Sequence, residues 1–252
     1  MKQLTNVFII TIVLLVLINT KHVQADSTET VLITGANRGI GLALVKKFKK
    51  EGYSIIASAR KPSKSIELNS LGVRVEQLDV TDPESVKKMA ERLKGIKIDV
   101  LINNAGILGN DSPKFKDLDI ERIALTLNVN SLGPIRVTQA LLPQLSLSNK
   151  KLVANIGSDM GSITNNSSGG LMGYRASKTA LNSFVKSLSI RLARQGFTFV
   201  ALHPGWVVTD MSNGSGNFTS TESANNLFNV ITQLTTKDNG KFYNYNGEPL
   251  PW

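Results

Sequence analysis

The stretch from Thr30 to Lys50 reads TVLIT, then GANRGIG, then LALVKKFKK. A β-branched apolar run, a turn holding Gly35, Gly39 and Gly41, and an amphipathic run follow without a gap. An apolar run of that kind forms a buried strand. The glycines permit the sharp reversal that lays a helix back against it. The alternation continues to the C-terminus. Strands are expected at 54–59 (SIIASA), 73–80 (VRVEQLDV), 98–104 (IDVLINN), 151–158 (KLVANIGS), 197–205 (FTFVALHPG) and 241–246 (KFYNYN). Between them a helix is expected over DPESVKKMAERLKG, with Asp82 as N-cap and Pro83 at the first helical position. Others are expected from Leu118 to Leu147, from Gly173, and over 220–236.

Strand–helix alternation implies a parallel sheet covered by helices on both faces. The expected class is therefore α/β, a single-domain Rossmann-type doubly wound sheet. The chain's 252 residues, 41% hydrophobic, suffice for one well-buried core. The formal charge of +10 is spread over helical stretches such as KKFKK and ESVKKMAERLKG, with no stacking aromatics among them. That pattern describes solvated helix faces, so no nucleic-acid partner is expected. With no cysteine, disulfides, thiolate catalysis and cysteine-ligated metals are excluded. Only His22 and His203 are histidines, which argues against a histidine metal site or a Ser-His-Asp triad. His203, before a Pro-Gly turn, reads as a hydrogen-bonded strand-end residue.

The N-terminus differs in kind. Lys2 precedes an uncharged apolar run, Val7–Ile18, and Val23-Gln24-Ala25 offers small residues spaced for signal-peptide cleavage after Ala25. The run is short for a membrane span, which needs about 20 residues. Residues 1–25 are expected to be a cleaved leader directing export or entry to a secretory pathway, with a retained membrane anchor as the alternative. Residues 26–252 would be the folded domain. Asn110, Asn165, Asn166, Asn213 and Asn217 open acceptor-type sequons.

On an open parallel sheet, ligands bind beyond the C-terminal strand ends. After the first strand, the glycine turn suits a pyrophosphate at a helix N-terminus, although its spacing is G-x-x-x-G-x-G. After the second come Ala59-Arg60-Lys61, with no acid between Tyr53 and Lys64. An arginine there accommodates a 2′-phosphate, and Arg38 inside the glycine turn points to the same group. Both favour NADP(H) over NAD(H). After the third stands Asp79-Val80. After the fourth stand Asn103 and Asn104, whose side chains suit either loop bracing or ligand contact. After the fifth stands Ser158, followed by YRASK, with Tyr174 and Lys178 one helical turn apart on one face. A lysine beside a phenol favours phenolate, as does a neighbouring oxidised nicotinamide ring, and the phenol's pKa then moves toward the working range. Ser158 can bond the carbonyl oxygen on which charge develops.

In their order and spacing, TGANRGIG, LDV, NNAG, LNVNSLG, the serine of NIGSDMGSI, YRASK and HPGWVVTDM make the chain resemble the short-chain dehydrogenase/reductase family from Thr30 onward. HPGWVVTDM and the ending NGKFYNYNGEPLPW resemble its C-factor/sniffer-type carbonyl reductase branch. The resemblance implies a catalytic set of Ser158, Tyr174 and Lys178, with Asn130 holding a water that links Lys178 to solvent. It implies that Gly35, Arg38, Gly39, Ile40 and Gly41 contact cofactor phosphates, that Asp79 and Val80 hold adenine, and that Asn104, Ala105 and Gly106 hold the adjacent ribose. Pro204, Gly205, Val207 and Thr209 would flank the nicotinamide. It further implies a homodimer through the long helices after strands four and five. Two positions depart from the pattern: Gly157 stands where a second serine is common, and Ser212 where this branch often has glycine. Residues 211–221 are expected to belong to a mobile lid.

The sequence thus points to an NADP(H)-dependent reductase of a small-molecule aldehyde or ketone. Intact Ser158, Tyr174 and Lys178 favour it over an exported C-factor-like signalling protein that keeps the fold. A sugar-nucleotide epimerase shares Tyr-x-x-x-Lys, but the short C-terminal region leaves little room for a sugar-nucleotide domain.

Overall fold

A computed structural model describes residues 28–109, 112 and 114–252. The expected leader, residues 1–25, and the sequon at Asn110 lie outside them. Seven strands form one sheet: β1 Thr30–Ile33, β2 Ser54–Ala59, β3 Arg74–Gln77, β4 Val100–Asn103, β5 Leu152–Ile156, β6 Thr198–Leu202 and β7 Lys241–Tyr243. All pairings are parallel and the order is β3-β2-β1-β4-β5-β6-β7. The strand order reverses between β1 and β4, which opens a crevice at their C-terminal ends.

The helices are α1 Gly39–Lys50, α2 Ile66–Ser70, α3 Pro83–Arg92, α4 Ile120–Leu127, α5 Gly133–Ala140, α6 Leu142–Ser146, α7 Met172–Arg191 and α8 Ser220–Gln233. Successive strand residues face opposite ways, so each strand feeds two cores. Ile33 pairs with Ala57 and Ile102, and all three face Phe48 of α1 and Leu227 of α8. Phe48 sits edge-on to Tyr53 and Phe228, with ring centroids at 5.1 and 4.9 Å. The neighbouring positions Leu32, Ile56, Leu101 and Phe199 face Met89 of α3, Val137 of α5, and Leu181 and Val185 of α7.

The buried stripe of α7 runs Tyr174, Lys178, Leu181, Val185. Its apolar end packs on the sheet, and its polar end overhangs the C-terminal strand ends. The packing that holds the helix therefore also aims Tyr174 and Lys178. Asp82 caps α3, its carboxylate accepting from the Glu84 amide at 2.9 Å, as expected for Asp-Pro at a helix start.

The helix expected from Leu118 to Leu147 is broken. After α4 the chain makes a π-helical turn over Asn128–Leu132, resumes as α5, and breaks again before α6. Pro134 and Pro143 have no amide hydrogen to donate to an upstream carbonyl, which accounts for breaks just ahead of each. Gly133 is pressed against Val80: a Cβ there would lie 2.8 Å from a Val80 methyl. The turn directs Asn130 and Ser131 into the interior, where both are buried. The short α2 had no clear periodic signal. Among the described residues no helix is long and apolar enough to cross a membrane.

Candidate active site

Gly35, with φ +64°, turns the chain out of β1, and Gly39, with φ +55°, starts α1. The α1 N-cap, Arg38, offers no side-chain acceptor, and the first turn carries no acid. By contrast, the side chains of Asp82, Asp119 and Thr219 cap α3, α4 and α8. The first amides of α1 and the positive end of its dipole thus stay available to an anion. A phosphate group fits that provision.

The loop after β4 lies directly against the glycine turn. A Cβ on Gly35 would meet the Ala105 backbone at 2.8 Å, and one on Gly41 would run into the Gly35 carbonyl and the Asn104 amide. Asn104 Nδ2 donates to the carbonyls of Thr34 and Gly35 at 2.9 and 3.0 Å. Its side chain is therefore a brace, and backbone 104–106 presents the surface of the crevice. Thr34 had not been singled out from the sequence. Its buried hydroxyl accepts from the amides of Asn104 and Ala105 at 3.0 and 3.1 Å, joining the two loops. Asn103 lies deeper, donating to Asn155 Oδ1 at 3.0 Å and Thr138 Oγ1 at 3.2 Å.

Arg60 follows β2 directly and is exposed. Asp79, past β3, feels its charge. Burial works against the Asp79 carboxylate, but bonds from the Thr81 hydroxyl (2.7 Å) and amide (2.9 Å) outweigh it and hold its pKa below the ordinary value. Val80 is buried against Gly133. Arg38 reaches across to Asp210, Nη1 to Oδ2 at 2.9 Å, with both side chains more than two-thirds exposed. Such a pair contributes little stability, but it links the glycine turn to the loop after β6.

Ser158, Tyr174 and Lys178 are brought together and buried. Ser158 begins a tight 3-10 turn, its hydroxyl accepting from the Met160 amide at 3.2 Å and bonding the Tyr174 phenol. Lys178 Nζ donates to the Ile156 carbonyl at 2.8 Å and stands 5.8 Å from the centre of the Tyr174 ring. Burial pushes the phenol up to about 12. The Ser158 bond lowers it, and the charge of Asp159 raises it. Burial brings the Lys178 ammonium down to about 8. A phenol tuned toward neutrality by its lysine is thus not what the chain alone provides. Desolvation dominates, and the ammonium is spent on a carbonyl.

Asn130 Oδ1 accepts from the Ile107 amide and its Nδ2 donates to the Ile107 carbonyl, both at 2.8 Å; Nδ2 also bonds Ser177 Oγ at 3.0 Å. The side chain ties the π turn, the loop after β4 and α7 together. A Cβ on Gly106 would lie 3.3 Å from Asn130 Oδ1 and 3.8 Å from Lys178 Nζ, so these three residues converge.

On the remaining wall, Pro204 accepts from Ser223 Oγ at 2.7 Å. Gly205 has φ +84°, and a Cβ there would lie 2.8 Å from the Phe218 ring. Val207 is buried, and Thr209 comes within 3.5 Å of where a Gly39 Cβ would sit. That contact closes the crevice between the glycine turn and this loop. Ser212 accepts from the Thr209 amide at 3.0 Å and donates to the Val207 carbonyl at 2.8 Å, so the hydroxyl that departs from the family pattern laces the start of segment 211–221.

Further contacts surround the segment that follows Ser158. Asp159 lies beside Ser158, His203 Nε2 lies 3.8 Å from Asp159 Oδ1, and the Trp252 carbonyl accepts from Ser162 Oγ (3.0 Å) and the Ile163 amide (3.1 Å).

The sequence profile of the short chain dehydrogenase family matches residues 29–219. The protein named C-signal, from Myxococcus xanthus, is 43% identical over 155 residues, covering 62% of this chain and 93% of its own. The structure of carbonyl reductase Sniffer of Drosophila melanogaster superposes with a TM-score of 0.85 at 33% identity, covering 89% of this chain and all of its own. That of NADPH-bound carbonyl reductase from chicken fatty liver gives 0.82 at 33% identity, covering 89% of this chain and 99% of its own.

Thr34→Val keeps shape but strips the part-buried Asn104 and Ala105 amides of their acceptor, at a cost of about 1 kcal/mol or more. Chemical denaturation should show that loss, and Thr34→Ser should restore most of it. An unchanged denaturation midpoint in Thr34→Val would remove Thr34 as the joint between the two loops.

Proposed function

The chain belongs to the short chain dehydrogenase family as an NADP-dependent oxidoreductase, and we propose that it interconverts an aldehyde or ketone with the corresponding alcohol. The observation that carries this reading is the convergence of buried Ser158, Tyr174 and Lys178 at the strand ends beside a glycine turn fit for a dinucleotide phosphate. The exposed guanidinium of Arg60, with no acid nearby in sequence, suits the 2′-phosphate that distinguishes NADP(H). Gly35, Gly39, Ile40 and Gly41 would hold the pyrophosphate, Asp79 and Val80 the adenine, and residues 104–106 the adjoining ribose. Pro204, Gly205, Val207 and Thr209 would line the nicotinamide.

Bound NADPH supplies the hydride. The Ser158 hydroxyl donates to the carbonyl oxygen and steadies the charge that grows there. Tyr174 gives that oxygen its proton. Burial keeps the phenol protonated in the neutral range but also weakens it as an acid, so proton transfer from it depends on positive charge beside the phenolate it leaves. Lys178 supplies positive potential beneath the phenol, and Asn130 fixes the loop and the helix that face it. Giving up the proton leaves phenolate in either direction of the reaction, and the positive charge of Lys178 and of an oxidised nicotinamide ring would stabilise it there. No specific observation favours the signalling alternative, since the likeness to C-signal extends over reductase sequence.

Residues 1–25 are proposed to direct export, on the strength of Lys2, the apolar run and the small residues before Asp26. Protein from the native host should begin at Asp26; a soluble cytoplasmic form beginning at Met1 would refute this.

Tyr174→Phe removes the proton donor and keeps the ring. Folding and NADPH binding should persist while carbonyl reduction falls about 10²-fold or more, the scale of a lost acid catalyst. Turnover near that of the parent would exclude Tyr174 as the acid.

A further inference from the structure

After β7 the chain turns back on itself over Asn244–Glu248, the Asn244 amide donating to the Glu248 carbonyl at 2.8 Å. It then runs back beside the strand. Pro249 lies opposite Tyr243 in an antiparallel bridge, and the Leu250 amide donates to the Phe242 carbonyl at 2.8 Å. Leu250 packs on the core that α7 covers. Residues 249–252 thus form a short strap that brings Trp252 to the segment following β5.

There the main-chain oxygen of Trp252 gathers donors from three consecutive residues. Ser162 Oγ lies at 3.0 Å, the Ile163 amide at 3.1 Å, and the Thr164 amide and Oγ1 both at 3.3 Å. These residues continue directly from the 3-10 turn that Ser158 begins, closed by the Gly161 amide on the Ser158 carbonyl at 2.8 Å. The Trp252 ring reaches the other flank. It stacks on Phe242, with centroids 5.5 Å apart and planes inclined by 25°. Phe242 in turn lies against Gly157, where a Cβ would stand 3.6 Å from the ring. One residue therefore touches both sides of Ser158, directly after it and through Phe242 before it.

We propose that Trp252 is a positioning residue: its ring and its main-chain oxygen bracket the Ser158 turn and fix where the Ser158 hydroxyl meets the carbonyl oxygen of the substrate. This rests on the reductase reading above and adds a residue that does not touch substrate. The turn itself does not need the strap, because α7 also holds it. Thr179 Oγ1 and Asn182 Nδ2 donate to the Gly161 carbonyl at 3.0 and 3.2 Å. Beyond Ser162, however, residues 163–171 form an exposed loop with no regular structure. The strap separates the motion of that loop from the serine. Trp252 is 38% exposed, so its ring serves the site more than the core.

Kinetics of the full chain give the first test. Trp252→Ala should lower kcat about tenfold with NADPH affinity unchanged, part of the roughly 10²-fold that a misplacement of about 1 Å can cost. Trp252→Phe keeps a ring to stack on Phe242 and should retain most of the parent kcat. An unchanged kcat in Trp252→Ala would overturn the proposal. So would equal losses in the Ala and Phe variants, or a loss of NADPH affinity as large as the loss of kcat, since either would mean a structural role.

The second test, amide hydrogen exchange, needs no turnover. Ile163 and Thr164 are exposed, and Trp252 supplies the acceptor for both amides. In the parent both should exchange about tenfold or more slowly than free amides. Trp252→Ala should remove that protection while the amides of β5 keep theirs, and Trp252→Phe should keep most of it. Unprotected amides in the parent, or protection that survives Trp252→Ala, would refute the strap. A parent that shows the protection, binds NADPH and reduces no carbonyl would refute the reductase reading, and with it the part played by Trp252 in turnover.

Discussion

Both faces of the sheet are sealed by helices, through Phe48 and Leu227 on one side and Val137 and Leu181 on the other. Polar chemistry then has one place to emerge, at the strand ends, where backbone groups leave the ladder and must find other partners. Much of the site's structure follows from that requirement. Thr34 and Asn104 satisfy the ends of β1 and β4 by bonding each other's loops. Lys178 satisfies the end of β5 through the Ile156 carbonyl. The bonds that complete the fold and the groups that define the site are in large part the same atoms.

Burial also sets the electrostatics. Tyr174 and Lys178 lie in the polar end of a helix stripe whose other end is core, so neither is well solvated. Desolvation moves both toward their neutral forms, the phenol up and the ammonium down. Desolvation therefore works against phenolate, and the nearby ammonium that would offset it is bonded to the Ile156 carbonyl.

Local features of the sequence were legible because they act locally. Strand cores matched their β-branched runs, with shorter ends. Asp82-Pro83 marked a helix start, and the glycine turn and the Tyr174–Lys178 spacing declared themselves by position. The rest depends on partners that meet only once the sheet is assembled. The break over Asn128–Leu132 reflects Pro134 together with the pressure of Val80 on Gly133. The Thr34 hydroxyl, the Arg38–Asp210 pair and the approach of His203 to Asp159 join distant segments and leave no periodic trace. Helical spacing likewise places Lys178 beside the phenol but does not show that its ammonium also bonds the Ile156 carbonyl.

The central claim is that this site moves hydride from NADPH to a carbonyl carbon. Incubating the chain with C4-deuterated NADPH and a panel of aldehydes and ketones, then weighing the alcohols, tests it directly. The account predicts an alcohol carrying one deuterium at the former carbonyl carbon, formed far more slowly from deuterated NADH. Folded protein that binds NADPH yet labels no alcohol from any of them would contradict it.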